Sequence, residues 1–419
     1  MSQKQNLISV TDARDTVLNS VQVLSSERLD LFASLDRVMS ENVIATRLQP
    51  PWDNSAMDGY AVRSADVAAA TDTSPTLLSV TEHIAAGYRS SRGIGKGEAV
   101  QIMTGAPIPE GADAVVRSED TDQIDDSTVS IKKSVPAGKD LRRAGEDLSP
   151  GDLLLPAGTR IRPAEIGLLA SNNQTYVSVH RRPRVAILST GDEIADIGED
   201  TYDARIIDSN SYSLTAQVLD AGATPIRLGI SRDDPTELES MLRAGLSADA
   251  IITSGGVSVG EYDFVKSALG ALGTTMEFWK VAMTPGRPFA FGTIQDTLAF
   301  GLPGNPVAAM VTFELFVRPA LIKMSGGSKL YRPTVQAKLL GDIGKTKGRK
   351  QFLRMQLFER ENQLYANPTG AQGSGILRSM SLADGLAITH EDQTLIRAGD
   401  EVEVMLLGGD SVHSFTRNC

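Results

Sequence analysis

The chain has 419 residues, 52 Asp+Glu against 41 Lys+Arg for a net charge of −11, and one cysteine. The length predicts several domains of roughly 100–200 residues each, and 41% apolar with 22% charged residues is a globular composition, not a disordered one. No run approaches the roughly 18 apolar residues of a membrane span, a lone cysteine excludes a disulfide scaffold, and the acidic balance argues against nonspecific nucleic-acid binding. The first residues also lack a secretory pattern, so a cytoplasmic protein away from membranes is expected.

Residues 8–48 carry an amphipathic helical pattern, with Ala13, Val17, Val21 and Leu24 near a period of about 3.6 and a continuation through 29–38. Residues 50–146 are punctuated by Gly, Pro and Asp and predict short strands at 98–102, 114–117 and 128–132. From 184 onward strand and helix alternate. Strands are expected at 185–188, 226–228, 250–253, 278–281, 289–291 and 298–300. One helix is capped by Asp208 or Ser209, a second starts at Asp234-Pro235 with Glu237, and a third runs through Phe264, Val265 and Leu269. A long apolar helix opens at Asn305-Pro306 and runs to about 323, with a kink at Pro319. Such alternation predicts a doubly wound, mostly parallel sheet with helices on both faces. Beyond 327, strands at 335–339, 352–358 and 402–407 predict a small β domain, so the fold class is α/β plus β, multidomain.

In doubly wound sheets ligands bind at the carboxyl ends of the strands. Three turns stand there: Ser189-Thr190-Gly191-Asp192-Glu193, then Ser254-Gly255-Gly256-Val257-Ser258-Val259-Gly260-Glu261, then Gly301-Leu302-Pro303-Gly304-Asn305-Pro306. Glycine lets backbone N–H groups approach a phosphate, and a following helix adds its positive end. One such turn is explained by tight βα geometry alone. Three on successive strands favour a phosphorylated ligand, although none is a Walker A or GxGxxG loop.

Asp192, Glu193, Asp208, Asp233, Asp234, Glu261 and Asp263 gather near these turns, and oxygen donors of this kind suit Mg²⁺ bridged to phosphates. Asp234 and Asp208 read as helix caps, which leaves Glu193 and Asp263 as the better metal candidates. Lys280, inside the apolar pattern Phe278-Trp279-Lys280-Val281, needs a partner. Arg142 and Arg143 sit in turn-like text, and Asp58-Gly59 offers a carboxylate on a constrained backbone. Four scattered histidines give no zinc spacing, and no serine or cysteine nucleophile motif appears.

Six segments in order, PPWDNSAMDGYAVR (50–63), MTGAPIPEGADAVV (103–116), LRRAGED (141–147), ILSTGDEI (187–194), ITSGGVSVGEYDFVK (252–266) and FGLPGNPVAAMVTFE (300–314), resemble the molybdopterin molybdenumtransferase family, known as MoeA in bacteria and the gephyrin E domain in animals. The resemblance implies a homodimer of elongated subunits. Residues 1–49 and 149–183 would form an elongated helical and linker domain, 50–148 an inserted β-rich domain, 184–327 the α/β molybdopterin-binding domain, and 328–419 the C-terminal β domain. The implied reaction inserts molybdate into adenylylated molybdopterin with Mg²⁺-dependent release of AMP, giving molybdenum cofactor. The molybdopterin adenylyltransferase and recipient molybdoenzymes are implied as partners.

By the same resemblance Asp58, Thr104, Arg142, Asp233 and Lys280 would be catalytic, and Glu193 and Asp263 would hold Mg²⁺. Thr190, Gly191, Ser254, Gly255, Gly256, Ser258, Gly260, Pro303, Gly304, Asn305, Pro306 and Ser374 would bind the pterin. The chain departs from the family at Thr284-Pro285-Gly286-Arg287-Pro288, where many relatives place lysine in both the first and fourth positions. Threonine removes one cation, and arginine is not an equivalent replacement for the other. Two rival functions are an adenylyltransferase acting on molybdopterin, which would leave the long non-sheet half unexplained, and a non-catalytic molybdopterin-binding scaffold. Retention of Asp58, Glu193, Asp263 and Lys280 argues against the scaffold.

Overall fold

A computed structural model describes residues 7–201, 204–256, 264–344 and 347–408. It divides into two compact units, one of residues 29–35 and 41–177, the other of the remaining described residues. The chain opens on α1 (Val10–Asn19), whose Ser9 cap accepts from the Asp12 N–H at 3.0 Å. Val10, Ala13 and Val17 are its buried stripe, the spacing of an amphipathic helix. The helical pattern expected through 29–38 is not realised: Ser26–Asp30 is a strand and residues 31–36 are a turn. Asp30 Oδ1 accepts from the Phe32 and Ala33 N–H groups at 2.9 and 3.0 Å. That local bonding competes with helix, and Asp36 at φ 63° ends the turn.

The smaller unit is built on β1 (Gly59–Val62), β2 (Thr76–Ile84), β3 (Glu98–Ile102), β4 (Ala114–Arg117), β5 (Thr121–Asp125) and β6 (Thr128–Ile131). They form one sheet in the order β4-β1-β3-β2-β6-β5. Every pairing is antiparallel except β2 with β3. Tyr60 and Val62 join one core and Ala61 the other, the period of two that buries both faces. This unit also holds α2 (Pro163–Ser171), opened by the Arg162 N–H donating to Glu165 Oε2 at 2.9 Å.

The larger unit contains β7 (Arg184–Thr190), α3 (Ser209–Asp220), β8 (Thr224–Ser231), α4 (Pro235–Gly245), β9 (Ala250–Ser254), α5 (Phe264–Ala271), β10 (Thr275–Lys280), β11 (Pro288–Ile294) and β12 (Thr297–Leu302). The sheet order is β8-β7-β9-β12-β11-β10. The first four strands are parallel, while β11 is antiparallel to both β12 and β10. Two reversals return β10 to the direction of β12, so Lys280 at its end reaches the edge where β7, β9 and β12 finish. Val185 and Ile187 pack with α1, α3 and the long helix, whereas Ala186 and Leu188 pack with α4 and α5. Alternate residues of one strand are thus buried on opposite faces, as a doubly covered sheet requires.

After β12 the chain forms α6 (Pro306–Thr312), a π turn at Phe313–Val317 and α7 (Arg318–Met324). Pro319 lies in the first turn of α7; it lacks an N–H and crowds the preceding carbonyls, and the wider π turn accommodates it where a kink was expected. Next, β13 (Thr334–Leu339), β14 (Lys350–Arg360), β15 (Gln363–Pro368), β16 (Gly385–Thr389) and β17 (Glu401–Leu406) close into a small barrel, with β14 pairing both β15 and β16. Phe352, Met380, Leu386 and Met405 join the core of the α/β layer, and Met283–Thr284 pairs in parallel with Lys350 and Gln351. The barrel is therefore packed onto the sheet domain. No helix among the described residues is long and apolar enough to cross a membrane.

Candidate functional site

The ends of β7, β9 and β12 are adjacent in the sheet, so the three glycine turns converge. The Gly191 N–H donates to the Ser231 C=O at 3.1 Å and the Gly255 N–H to the Leu302 C=O at 3.2 Å. A Cβ on Gly255 would stand 2.8 Å from the Thr190 carbonyl oxygen, and Gly255 has φ +97°, so the approach of β7 to β9 demands glycine there. Asn210, in the first turn of α3, donates from Nδ2 to Ser254 Oγ and to the Gly304 C=O, both at 2.8 Å. One side chain thereby ties the second turn to the third. The Val307 N–H donates to the Ser374 C=O at 3.0 Å, which places the barrel loop bearing Ser374 against the start of α6. Pro303 is buried behind it, and Gly304 and Asn305 are exposed.

Beneath these turns lie unsatisfied polar atoms on both faces of the sheet, Ser189 on the α3 side and Thr190 and Thr253 on the α4 and α5 side. Ser189 Oγ, Thr190 Oγ1, Asp208 Oδ2, Asn210 Oδ1 and Thr253 Oγ1 are buried without a hydrogen-bond partner among the described residues. Each such group costs about 1–3 kcal/mol relative to a bonded one, so each calls for a polar partner.

Carboxylates stand beside these atoms. Asp192 Oδ1 accepts from the Asp233 N–H at 3.2 Å, and the Arg232 guanidinium caps the Asp192 and Ile194 carbonyls at 3.2 and 3.1 Å. Burial, and then the charges of Asp192 and Glu193, raise the Asp233 carboxyl above its ordinary range. Among the described residues no three metal-type side chains are close enough to enclose an ion. Asp263, Ser258 and Gly260 lie outside the described residues. At the other end of the edge Lys280 is half-buried, and Thr284 and Arg287 are exposed.

The smaller unit gathers a second constellation around the pair Asn54–Ser55. Leu141 and Arg142 lie opposite Ser55 and Asn54 in antiparallel register, and the Gly105 N–H donates to the Ser55 C=O at 2.8 Å. This weave brings Asp58 against Thr104, which donates to Asp58 Oδ1 from its N–H at 2.7 Å and from its hydroxyl at 2.8 Å. The Thr104 bonds hold the Asp58 carboxyl below the usual carboxylate range, so an exposed, fully ionised oxygen is fixed in place. Gly59 follows because a Cβ there would sit 2.0 Å from the Val116 carbonyl oxygen. Arg143 is engaged with Asp53 at 2.6 Å, whereas Arg142 is exposed.

Comparison with known proteins bears on all of this. The description "MoeA N-terminal region (domain I and II)" matches residues 8–172, "Probable molybdopterin binding domain" matches 186–323, and "MoeA C-terminal region (domain IV)" matches 336–407. A molybdopterin molybdenumtransferase from Nostoc is 38% identical over 95% of this chain and 94% of its own length. Molybdopterin molybdenumtransferase 2 from Mycobacterium tuberculosis is 40% identical over 88% and 91%. The chain belongs to the molybdopterin molybdenumtransferase family. With it the chain takes its place among the transferases of molybdenum cofactor biosynthesis. The crystal structure of a molybdopterin biosynthesis MoeA protein from Pyrococcus horikosii superposes with a TM-score of 0.82 at 30% identity, covering 96% of this chain and 100% of that one. The matched regions of the molybdenumtransferase family carry both constellations: Asp58, Thr104 and Arg142 fall in the N-terminal match, the three turns in the molybdopterin-binding match, and Ser374 in the C-terminal match.

Asn210 escaped the sequence reading, which took its neighbour Asp208 only as a cap. Asp208 does cap α3, accepting from the Ser211 N–H at 3.0 Å. The signal that would have found Asn210 is a second amide or carboxylate directly behind that cap, at a strand-to-helix turn facing glycine loops.

Proposed function

We propose that this protein inserts molybdate into adenylylated molybdopterin, releasing AMP in a Mg²⁺-dependent step and yielding molybdenum cofactor. The observation that carries the reading is the convergence of three glycine turns at the carboxyl edge of β7, β9 and β12, with unsatisfied buried polar atoms beside them, within the region matched as a molybdopterin-binding domain. A pterin offers ring N–H donors and acceptors that such atoms would bond, and its phosphate would meet the N–H groups of the glycine turns.

Chemistry at the phosphoanhydride is chiefly positioning and charge stabilisation. Lys280, at the same sheet edge, supplies positive charge for phosphate or molybdate. Glu193 and Asp263 would hold Mg²⁺, and Asp233, whose carboxyl is raised by burial and then by the charges of Asp192 and Glu193, would act beside Glu193 as a catalytic carboxylate. When bound, that ion neutralises phosphate charge. Asp58, pinned through Oδ1 by Thr104, orients a proton-bearing group or a water, and Arg142 supplies a further cation for the anionic substrate. The reading includes a homodimer working in the cytoplasm.

The test is AMP release from adenylylated molybdopterin with Mg²⁺ and no ATP, with and without molybdate. Molybdate-dependent release, with a product that reactivates a cofactor-free molybdoenzyme, is expected. Pterin binding without AMP release would overturn the reading in favour of a scaffold, and a requirement for ATP would favour an adenylyltransferase.

A further inference from the structure

In the smaller unit the loop 103–108 is bonded at both ends to segments that the proposed reaction leaves without a task. The Met103 N–H donates to the Ile84 C=O at 3.1 Å, and the Ile108 N–H donates to the Asp53 C=O at 3.0 Å. Between them Thr104 holds Asp58. Ile84 ends β2 and leads on to Arg89, while Asp53 directly follows Trp52. The Arg89 guanidinium lies over the Trp52 ring, 4.9 Å from its centroid. One loop therefore gathers an aromatic–cation pair and the pinned carboxylate at one end of the sheet.

Both members of the pair are set by their surroundings. The Gly145 N–H donates to the Pro50 C=O at 2.9 Å, and Asn54 Nδ2 donates to the Trp52 C=O at 3.2 Å. The Asp53 carboxylate accepts from the Ala144 N–H at 2.8 Å and from Arg143 at 2.6 Å. The backbone on each side of Trp52 is thus fixed, yet Trp52 itself is 38% exposed. On the other side Glu82 draws the chain back, accepting from the Ser90 hydroxyl at 2.5 Å and from the Ser91 N–H at 3.1 Å. The resulting turn passes through Gly87 at φ 89° and presents Arg89 over the indole.

An exposed cation–π pair contributes little to folding. An exposed ring on a fixed backbone with a cation beside it is, however, the composition of a nucleotide platform, in which the ring stacks the base and the cation meets the phosphate. We infer that Trp52 and Arg89 form a purine-nucleotide subsite beside Asp58, with Trp52 stacking the adenine of the adenylyl group and Arg89 facing its phosphate. The choice of adenine rests on the function proposed above. There the glycine turns receive the pterin, and adenine is the other flat ring system of the substrate.

The test is nucleotide binding, read from Trp52 itself. Trp279, the other of the protein's two tryptophans, is replaced in Trp279→Phe so that indole emission reports Trp52 alone. AMP should quench that emission saturably, and GMP should do nearly as well because stacking does not read base edges. Ribose 5-phosphate, which keeps the phosphate and lacks the base, should bind about tenfold more weakly than AMP, the worth of one base–aromatic stack, and should leave the emission unquenched. Trp52→Ala should lose about tenfold in AMP affinity by equilibrium dialysis and raise the KM for adenylylated molybdopterin by a similar factor, with the melting temperature unchanged. Trp52→Phe should restore most of both. Arg89→Gln should weaken AMP severalfold and flatten the salt dependence of its binding. AMP that binds without altering Trp52 emission, or that binds Trp52→Ala as tightly as wild type, would overturn the subsite. The two claims separate cleanly. If adenylylated molybdopterin yields no AMP while free AMP still quenches Trp52, the proposed reaction fails and the subsite stands; if AMP is released and Trp52→Ala behaves as wild type, the subsite fails and the reaction stands.

Discussion

The two constellations solve opposite problems. In the smaller unit Asp58 is exposed, and its one pinned oxygen is satisfied by Thr104; the charge is already set, and the one buried side-chain atom of that constellation without a partner among the described residues is Asn54 Oδ1. In the larger unit, among the described residues, five polar atoms near the glycine turns are buried and unsatisfied. The first is a fixed charge ready to act on a substrate, and the second is a set of buried polar groups that a polar ligand would bond. A fixed charge contributes to rate, whereas unsatisfied groups contribute to binding and are maintained against stability.

Substitution at the fixed charge should therefore have the largest effect. Asp58→Asn removes the ionised oxygen but can keep a bond to Thr104, so AMP release should fall roughly 10²-fold or more with the melting temperature nearly unchanged; equal loss of stability would erase the contrast. Next comes Thr284→Lys. Restoring a cation at an exposed position on the sheet edge should tighten half-saturation by molybdate about tenfold, the worth of one charge-assisted contact, and superimposable molybdate and tungstate curves would show that Thr284 does not touch the anion. Asn210→Ala probes the scaffold of the unsatisfied half. Losing the bonds to Ser254 and Gly304 should cost about 1–3 kcal/mol, read by urea denaturation, and should weaken pterin binding with it.

The smallest effect belongs to Asp233. Its carboxyl is raised, first by burial and then by Asp192 and Glu193, so the folded state binds the proton more tightly than the unfolded chain. The resulting penalty is absent below the ordinary aspartate range and grows as pH rises through the raised value. Asp233→Asn should accordingly raise the stability slightly at pH 7, by less than about 1 kcal/mol for so exposed a group, with the gain fading in acid. Added Mg²⁺ should stabilise wild type more than the variant. A gain that persisted unchanged at low pH would show that charge repulsion is not its cause.

Much of the α/β layer was legible because its signals are local. The cap Asp234 before Pro235 and the apolar runs of β7, β9 and β12 lie within short windows, and the structure realises each. The reversal of β11 and β10 was not legible, since strand direction is set by tertiary pairing and leaves no periodic mark. Residues 29–38 misled because Leu29, Leu31 and Leu35 mimic a helical stripe while the Asp30 side chain captures the backbone for a turn. Of the candidate site, the turns were visible as glycine clusters at strand ends. Asn210 was not, because a buried amide that ties two loops is defined only by what it touches.

The most direct test of the contrast is Thr190→Val, which keeps the volume and removes one unsatisfied hydroxyl. Melting temperature would be measured without ligand and with saturating adenylylated molybdopterin. If the Thr190 hydroxyl belongs to the ligand, the free protein should melt at the same or a higher temperature than wild type, and the ligand-induced rise should shrink. A free protein that melts lower, with a ligand-induced rise equal to that of wild type, would mean that Thr190 serves the fold and that the pterin binds elsewhere.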